Sequence, residues 1–120
     1  MITVFYDGAC GLCRREIDHY QRIADAAHFQ WIDITRHPTP FIERGYHVND
    51  GLKLLHAEDT AGQMHIAVRA FLLIWRHLPG PWPLLARLVG WPPLLALAEP
   101  AYRRFAAWRY ARLGYDQCAL

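Results

Sequence analysis

The sequence ITVFYDGACGLC, residues 2–13, joins a strand-like run to the start of a helical pattern. Residues 2–6 are all β-branched or aromatic, which is typical of a short buried strand. The dipeptide Asp7-Gly8 predicts a tight turn after this strand. Residues 10–27 contain no proline and place apolar side chains at steps of three and four, so they predict an amphipathic helix. The apolar stripe of this helix consists of Cys13, Ile17, Tyr20, Ala24 and Ala27.

The stretch after this helix predicts the rest of a sheet. Residues 29–34, FQWIDI, are typical of a second strand, and a strand-helix-strand unit of this length normally makes a right-handed crossover between parallel strands. Residues 52–56 and 63–66 flank the polar segment 58–62 and predict an antiparallel hairpin. We therefore expect an α/β fold in which a βαβ unit and a β-hairpin form a four-stranded sheet.

Prolines interrupt the remaining segments of the chain. Residues 35–49 predict a loop with a short helical turn near residues 41–44. Residues 67–78 are apolar nearly all round and predict a helix that packs on the sheet. Residues 79–93 predict short helical pieces joined by proline corners, and a last helix is expected over residues 100–113 with a proline in its first turn. One side of this last helix is expected to carry Tyr102, Phe105, Ala106, Arg109 and Leu113.

Length and composition fit one domain over residues 1–120, with a helical extension over about residues 79–120. The chain has 120 residues, of which 53% are hydrophobic and 20% charged, so these values exclude a disordered chain. A core of this size needs no disulfide or metal, and three cysteines are too few for a secreted disulfide framework. No signal-like segment precedes the first strand, and prolines and arginines interrupt the apolar second half, so we expect a cytoplasmic protein without a membrane span.

The two halves of the chain differ in charge. Residues 1–60 carry 6 basic and 9 acidic side chains, whereas residues 61–120 carry 7 arginines and 2 acidic side chains. Such a second half fits either a solvated surface with tryptophans in the core or a docking surface for an anionic membrane or an acidic partner. Nucleic acid is not an expected partner, because the arginines are spread among apolar residues and the net charge is only +2. The tryptophans of this half are Trp75, Trp82, Trp91 and Trp108.

Cys10 and Cys13 form a C-x-x-C at the junction of the predicted strand and helix. A cysteine in the first turn of a helix lies near unsatisfied backbone N–H groups and the positive end of the helix dipole, and both favour the thiolate. We therefore expect a lowered pKa for Cys10, which makes it the nucleophile. Cys13 begins the apolar stripe on the same side of the helix, so it is expected to be the more buried thiol and to resolve a mixed disulfide.

Asp7 has two candidate roles at this site, because its carboxylate can cap the helix or accept the proton of Cys13. A zinc site is the competing interpretation of the cysteine pair, but the sequence offers no second C-x-x-C and no histidine pair with the required spacing. No cofactor is expected. Cys118 stands near the C-terminus and is predicted to be an inert thiol, a second resolving thiol or an intermolecular link.

The motif YDGACGLC, with Asp7, Cys10 and Cys13 directly after an N-terminal strand, resembles the signature of the DCC family of thiol-disulfide oxidoreductase-like proteins, which is D-x-x-C-x-x-C. The hairpin, the helix that begins near Ala67 and the last helix with its arginines and tyrosines are also similar to that family. The resemblance implies a thioredoxin-like fold, dithiol-disulfide activity and functional residues at Cys10 and Cys13.

The chain departs from thioredoxin-like proteins at the position just before the third strand. Those proteins usually carry a cis-proline there, beside the C-x-x-C, which shapes the substrate groove. Here Leu52 follows residues 48–51, VNDG, and Pro38 and Pro40 lie far upstream. The mode of peptide binding is therefore left open by the sequence.

These observations predict an enzyme that exchanges disulfides. Its substrate would be a protein or small-molecule thiol or disulfide, and its redox partner is not identified by the sequence. The alternative is a redox-inactive thioredoxin-like module that docks on a membrane protein or an anionic surface through the second half of the chain.

Overall fold

The structure, a computed structural model, describes residues 1–9 and 11–112, with the backbone alone for residues 11–13. Within these residues the chain forms a sheet with helices packed on it. The strands are β1 (Ile2–Tyr6), β2 (Phe29–Asp33), β3 (His56–Glu58) and β4 (Met64–Ile66). The helices are α1 (Gly11–Ile23), α2 (Thr39–Glu43), α3 (Val48–Lys53), α4 (Val68–Arg76), α5 (Trp82–Val89) and α6 (Pro92–Arg112).

β1 lies inside a mixed sheet with the strand order β2-β1-β3-β4. It pairs in parallel with β2, from Ile2 opposite Phe29 to Tyr6 opposite Asp33. On its other side it pairs antiparallel with β3, which forms a hairpin with β4. The predicted βαβ unit, the antiparallel hairpin and the four-stranded α/β sheet are thus confirmed. Because β1 has a hydrogen-bonded neighbour on both sides, the turn that follows it starts from a firmly held strand.

Alternate side chains of β1 belong to different hydrophobic cores, as the period-two geometry of a strand requires. Ile2 and Val4 share one core with α1 and α4, in which Ile17 and Tyr20 of the predicted stripe are 2% and 1% exposed. Phe5 shares a second core with residues of β2, α2 and α3. Helices therefore cover both faces of the sheet, which explains why β1 is rich in apolar side chains throughout.

The predicted strand over residues 52–56 is wrong in its first part, because α3 ends at Lys53 and β3 begins at His56. Leu52 is buried in the second core from a helix rather than from a strand. A short apolar run can be buried from either element, and periodicity over so few residues does not distinguish them.

The predictions for the middle helices agree more closely with the structure. The helical turn expected near residues 41–44 corresponds to α2, which has Pro40 in its first turn. The helix expected over residues 67–78 is confirmed as α4, and α5 is the helical piece within residues 79–93. Among the helices in the described part of the chain, none combines the length and apolarity that a membrane crossing requires.

The last helix begins earlier than predicted, since α6 starts at Pro92 and Pro100 lies inside it. Pro92 fits this place because the first N–H groups of a helix have no intrahelical partner. The helix continues through Pro100 because Ala98 and Tyr102, on either side of this proline, pack against a core made by α4 and α5. Tertiary packing therefore outweighs the local preference of Pro100 to end a helix. The predicted end of this helix at Leu113 lies outside the described residues.

Replacing Pro100 with alanine is expected to stabilise the protein. Pro100 is exposed inside α6, and proline at this position removes the N–H that would bond to the carbonyl of Ala96. We expect Pro100→Ala to raise the free energy of unfolding by about 1–2 kcal/mol, less than the full propensity difference because alanine also adds freedom to the unfolded chain. Urea unfolding followed by circular dichroism measures this change.

The matched control is Ala107→Pro, the reverse substitution at another exposed position of α6. This variant should lose about 3 kcal/mol or more. A loss of stability on Pro100→Ala would contradict the prediction and would indicate that the packing of α6 depends on a bend at Pro100.

Candidate active site

Asp7 lies in the turn between β1 and α1 and is only 3% exposed. The Oδ1 atom of Asp7 accepts a hydrogen bond from the backbone N–H of Ala9 at 3.0 Å. A hydrogen bond from a backbone N–H to the carboxylate two residues earlier stabilises a turn that belongs to neither a helix nor a strand. Because α1 begins at Gly11, the residue after Cys10 in the sequence, Asp7 is bonded to the segment that leads into the C-x-x-C.

Arg109 brings a cation from α6 to the same carboxylate. Its Nη1 atom lies 3.4 Å from Oδ2 of Asp7, and the two side chains are only 8% and 2% exposed. Its Nη2 atom donates to the carbonyl oxygens of Leu52 at 2.6 Å and Lys53 at 3.2 Å. These carbonyls belong to the last turn of α3, where a cation is favoured because the final carbonyls of a helix lack intrahelical partners. Arg109 therefore joins three parts of the molecule: the turn after β1, the end of α3, and α6.

A second carboxylate holds the turn from the neighbouring strand. Asp33 ends β2, and its Oδ1 atom accepts hydrogen bonds from the N–H of Gly8 at 3.1 Å and from the N–H and hydroxyl of Thr35 at 3.0 and 2.6 Å. A Cβ atom at residue 8 would overlap the carboxylate of Asp33, so the close approach of the two depends on glycine. Burial, followed by the charges of Asp33 and Asp18, raises the pKa of Tyr6 at the end of β1.

A small cavity of about 30 Å³ adjoins the Asp7 carboxylate. One water molecule needs roughly 10–15 Å³ by the same measure, so the cavity has room for water. Near it, the hydroxyl of Tyr102 accepts a hydrogen bond from the backbone N–H of Leu55 at 3.4 Å. The residues that line the cavity include Asp7, Glu16, Leu55, Tyr102 and Arg109.

Glu16 is held beside this cavity by a chain of hydrogen bonds. The indole N–H of Trp75 donates to the hydroxyl of Tyr20 at 3.0 Å, and that hydroxyl donates to Oε1 of Glu16 at 2.7 Å. Burial is the main cause of the raised pKa of Tyr20, so its hydroxyl stays protonated and remains a donor. Glu16 therefore presents an oriented carboxylate on α1, one helical turn after position 13.

The structure locates Asp7 among the residues predicted for the site. Cys10, the side chain of Cys13 and Cys118 lie outside the described residues. The expectations that Cys10 has a lowered pKa, that Cys13 is the more buried thiol and that Cys118 is inert or resolving therefore stay predictions.

Four further residues join Asp7 at this site, and sequence reasoning gave none of them a role there. Arg109 and Tyr102 were predicted to share one side of the last helix, and an arginine on an apolar helix side is a signal of a buried ion pair. For Asp33 the sequence gives a weaker indication of a role at the site, which is its position at the end of a strand parallel to β1. For Glu16 the sequence gives no such indication, because the orientation of its side chain depends on Trp75, which is distant in sequence.

The residue before β3 is Leu55, since β3 begins at His56. This position carries leucine where thioredoxin-like proteins usually carry a cis-proline, and the described residues contain no cis peptide bond. The register differs from the sequence prediction because Leu52 belongs to α3. Leu55 is 8% exposed and lines the cavity beside Asp7.

Gly8→Ala is expected to destabilise the protein by about 1–3 kcal/mol, because the new Cβ atom overlaps the Asp33 carboxylate. Urea unfolding of four proteins tests the cause: the wild type, Gly8→Ala, Asp33→Ala and the double variant. With the carboxylate removed, the cost of the alanine should fall by about 1 kcal/mol or more. An equal cost in both backgrounds would show that the backbone of residue 8, rather than its contact with Asp33, requires glycine.

Comparison with known proteins identifies the family. A family model described as DCC1-like thiol-disulfide oxidoreductase matches residues 4–115, a range that includes the D-x-x-C-x-x-C motif and all of α6. No curated protein and no solved structure matches the chain. The mixed sheet with helices on both faces is consistent with a thioredoxin-like fold. The chain therefore belongs to the DCC1-like thiol-disulfide oxidoreductase family.

Proposed function

We propose that this protein is a thiol-disulfide oxidoreductase in which Cys10 is the nucleophile and Cys13 the resolving thiol. The observation that carries the proposal is the buried carboxylate of Asp7, the first residue of the D-x-x-C-x-x-C motif. This carboxylate is bonded both to the turn before α1 and to Arg109. Membership of the DCC1-like family supports the same chemistry. We further propose that residues 1–120 act as one domain, because α6 packs on α4 and reaches the turn after β1.

In the first step, the thiolate of Cys10 attacks one sulfur of a substrate disulfide. A mixed disulfide forms between Cys10 and the substrate, and the other substrate sulfur leaves as a thiolate that takes up a proton. The start of α1 favours this chemistry, because unsatisfied N–H groups at a helix N-terminus stabilise a thiolate near them.

In the second step, Cys13 loses its proton to the carboxylate of Asp7 and attacks the sulfur of Cys10. The disulfide between Cys10 and Cys13 forms as the bond from Cys10 to the substrate breaks, and the substrate leaves as a thiolate. The pair of cysteines loses two electrons and the substrate disulfide gains two. An external dithiol or glutathione would return the protein to its reduced form.

The two cysteines are expected to differ in the effect of their substitution. Cys10→Ser should abolish exchange, because the attacking sulfur is lost, whereas Cys13→Ser should accumulate mixed disulfides on Cys10. Equilibration in glutathione buffers, alkylation of free thiols and mass spectrometry measure both outcomes. Wild type should show a reversible two-electron transition.

The control is Cys118→Ser, which should leave this transition unchanged. Full activity of Cys10→Ser together with no trapped partner on Cys13→Ser would overturn the assigned roles. Zinc that co-purifies with the protein and blocks alkylation of the pair would favour the metal interpretation.

A second candidate function is docking on an anionic phospholipid bilayer, and it is supported by exposed apolar side chains on α5, on α6 and at Trp91 between them. Trp75 and Trp82 pack against the first core, whereas two other tryptophans of the second half are exposed. Exposed apolar side chains beside arginines suit an anionic bilayer, because the apolar groups enter the headgroup region while the guanidiniums meet lipid phosphates. The docking surface consists of Leu84 (70% exposed), Leu88 (57%), Trp91 (59%), Leu97 (69%), Phe105 (40%) and Trp108 (57%).

The charge around this docking surface fits an anionic occupant. Residues 82–112 contain five arginines and one acidic residue, Glu99, which pairs with Arg103; of the five, Arg109 is buried against Asp7. Arg104 and Arg112 lie four residues before and after Trp108, on its side of α6, and the guanidinium of Arg112 stands 5.5 Å from the Trp108 ring. Lipid phosphates would therefore meet cations beside the apolar groups.

Leu97→Ser/Trp108→Ser is expected to weaken partitioning onto phosphatidylserine vesicles, measured by flotation, by about thirtyfold or more, since two apolar anchors of about 1–2 kcal/mol each are lost. The matched control is Ile42→Ser, which removes an exposed apolar side chain from α2, outside the docking surface. Flotation of the wild type should weaken with salt and should persist in Cys10→Ser/Cys13→Ser. Absence of flotation, or equal flotation with phosphatidylcholine alone, would contradict this function.

A further inference from the structure

We propose that Arg109 is a positioning residue of the dithiol site, which keeps the Asp7 carboxylate oriented so that it can take the proton of Cys13. The proposal rests on the thiol-disulfide function proposed above and adds to it a residue that lies far from the motif in sequence. Arg109 acts through Asp7 and is not itself a catalytic residue.

The first support is the geometry of the guanidinium. Its Nη1 atom faces Oδ2 of Asp7 at 3.4 Å, while Nη2 is fixed by the carbonyls of Leu52 and Lys53 at 2.6 and 3.2 Å. Ala9 holds the other carboxylate oxygen through its N–H at 3.0 Å. The carboxylate is therefore bonded on both oxygens, and its orientation depends on α6 as well as on its own turn.

The second support is the cost of placing these charges inside the protein. A buried ion pair seldom stabilises a fold more than apolar side chains of similar volume would. α6 is already attached by apolar packing, since Ala98 and Tyr102 contact the core of α4 and α5 and Ala106 is 1% exposed. Attachment of α6 does not by itself require an ion pair at residue 109, which points to a role for the charge at the site.

The third support is the set of charged and titratable groups that face Asp7. Glu16 from α1, together with Tyr6 and Tyr102, lines the same cavity, and Asp33 binds the next residue of the turn from β2. Among the described residues that line this cavity, Arg109 is the cation. Its loss would remove the guanidinium contact that orients Oδ2 of Asp7 and would leave this buried carboxylate beside other acids.

A carboxylate that is no longer aligned by Arg109 accepts the proton of Cys13 less readily, so the second step of exchange should respond to Arg109 while the first step should not. In the second step Cys13 gives its proton to Asp7 and attacks Cys10, and the bond from Cys10 to the substrate breaks. In the first step the thiolate of Cys10 attacks the substrate without using Asp7. This separation distinguishes a positioning role from a general loss of structure.

The experiment uses a dithiobis-nitrobenzoate probe and the full chain with Cys118→Ser as parent. The reduced protein releases one coloured thiolate when Cys10 attacks and a second when Cys13 resolves the mixed disulfide. Stopped-flow absorbance follows both phases near neutral pH. Arg109→Gln should slow the second phase by about tenfold and leave the first phase unchanged, because about 1.4 kcal/mol of positioning is lost only in the second step.

The matched control is Arg104→Gln, which removes the same charge from an exposed position of α6. It should leave both phases unchanged. Arg109→Lys keeps the charge but not the forked geometry, so it should restore part of the rate of the second phase. A second phase that is equally fast in Arg109→Gln and in the parent would overturn the proposal.

A double variant keeps the test decisive if Arg109→Gln fails to fold. Asp7→Asn/Arg109→Gln removes both buried charges, so neither is left unpaired. Its second phase should be as slow as that of Asp7→Asn alone; a further loss would show that Arg109 acts independently of Asp7 and would overturn the proposal. Absence of both phases in the parent would instead refute the proposed thiol-disulfide function.

Discussion

The ion pair between Asp7 and Arg109 connects the turn after the first strand to the last helix, and the arrangement of the site depends on it. Charges buried to this degree are stable only when they are paired and hydrogen-bonded. Both conditions are met, because Arg109 also binds two carbonyls at the end of α3 and Asp7 also binds the N–H of Ala9. The pair and its hydrogen bonds therefore link the end of α3 and α6 to the turn that begins the motif.

The sheet also fixes the position of the turn that contains Asp7. β1 is hydrogen-bonded on both sides, so the position of Asp7 at its end is well defined. From β2, Asp33 binds the N–H of Gly8, and the contact is close enough that a side chain at residue 8 would displace it. The turn is thus held by one carboxylate of its own and by one from the adjacent parallel strand.

α6 has two surfaces with different surroundings. Its inner side buries Ala106 and Arg109, while Leu97 and Trp108 are exposed to solvent. A helix that is apolar on more than one side does not show the single stripe by which amphipathic helices are recognised. The same helix therefore contributes Arg109 to the Asp7 carboxylate from one side and exposes apolar side chains on the other.

Much of the fold and part of the site could be predicted from local sequence. The run of residues 2–6 and the stripe with Ile17 and Tyr20 indicate the βαβ unit, because a short buried strand and an amphipathic helix each have a recognisable pattern of apolar residues. The motif was equally visible, since Asp7 and the two cysteines are neighbours along the chain. The register of the third strand was not predictable, because Leu52 could be buried from a helix as well as from a strand.

Local sequence patterns establish the alternation of strand and helix, the place of the C-x-x-C between them and the excess of arginine in the second half. The continuation of α6 through Pro100 and the contact between Arg109 and Asp7 depend instead on tertiary packing. The reason is physical: local patterns record which side of an element is buried, whereas the partner of a buried charge depends on how distant elements pack. The separation of Asp7 and Arg109 by 102 residues places that pairing beyond any local pattern.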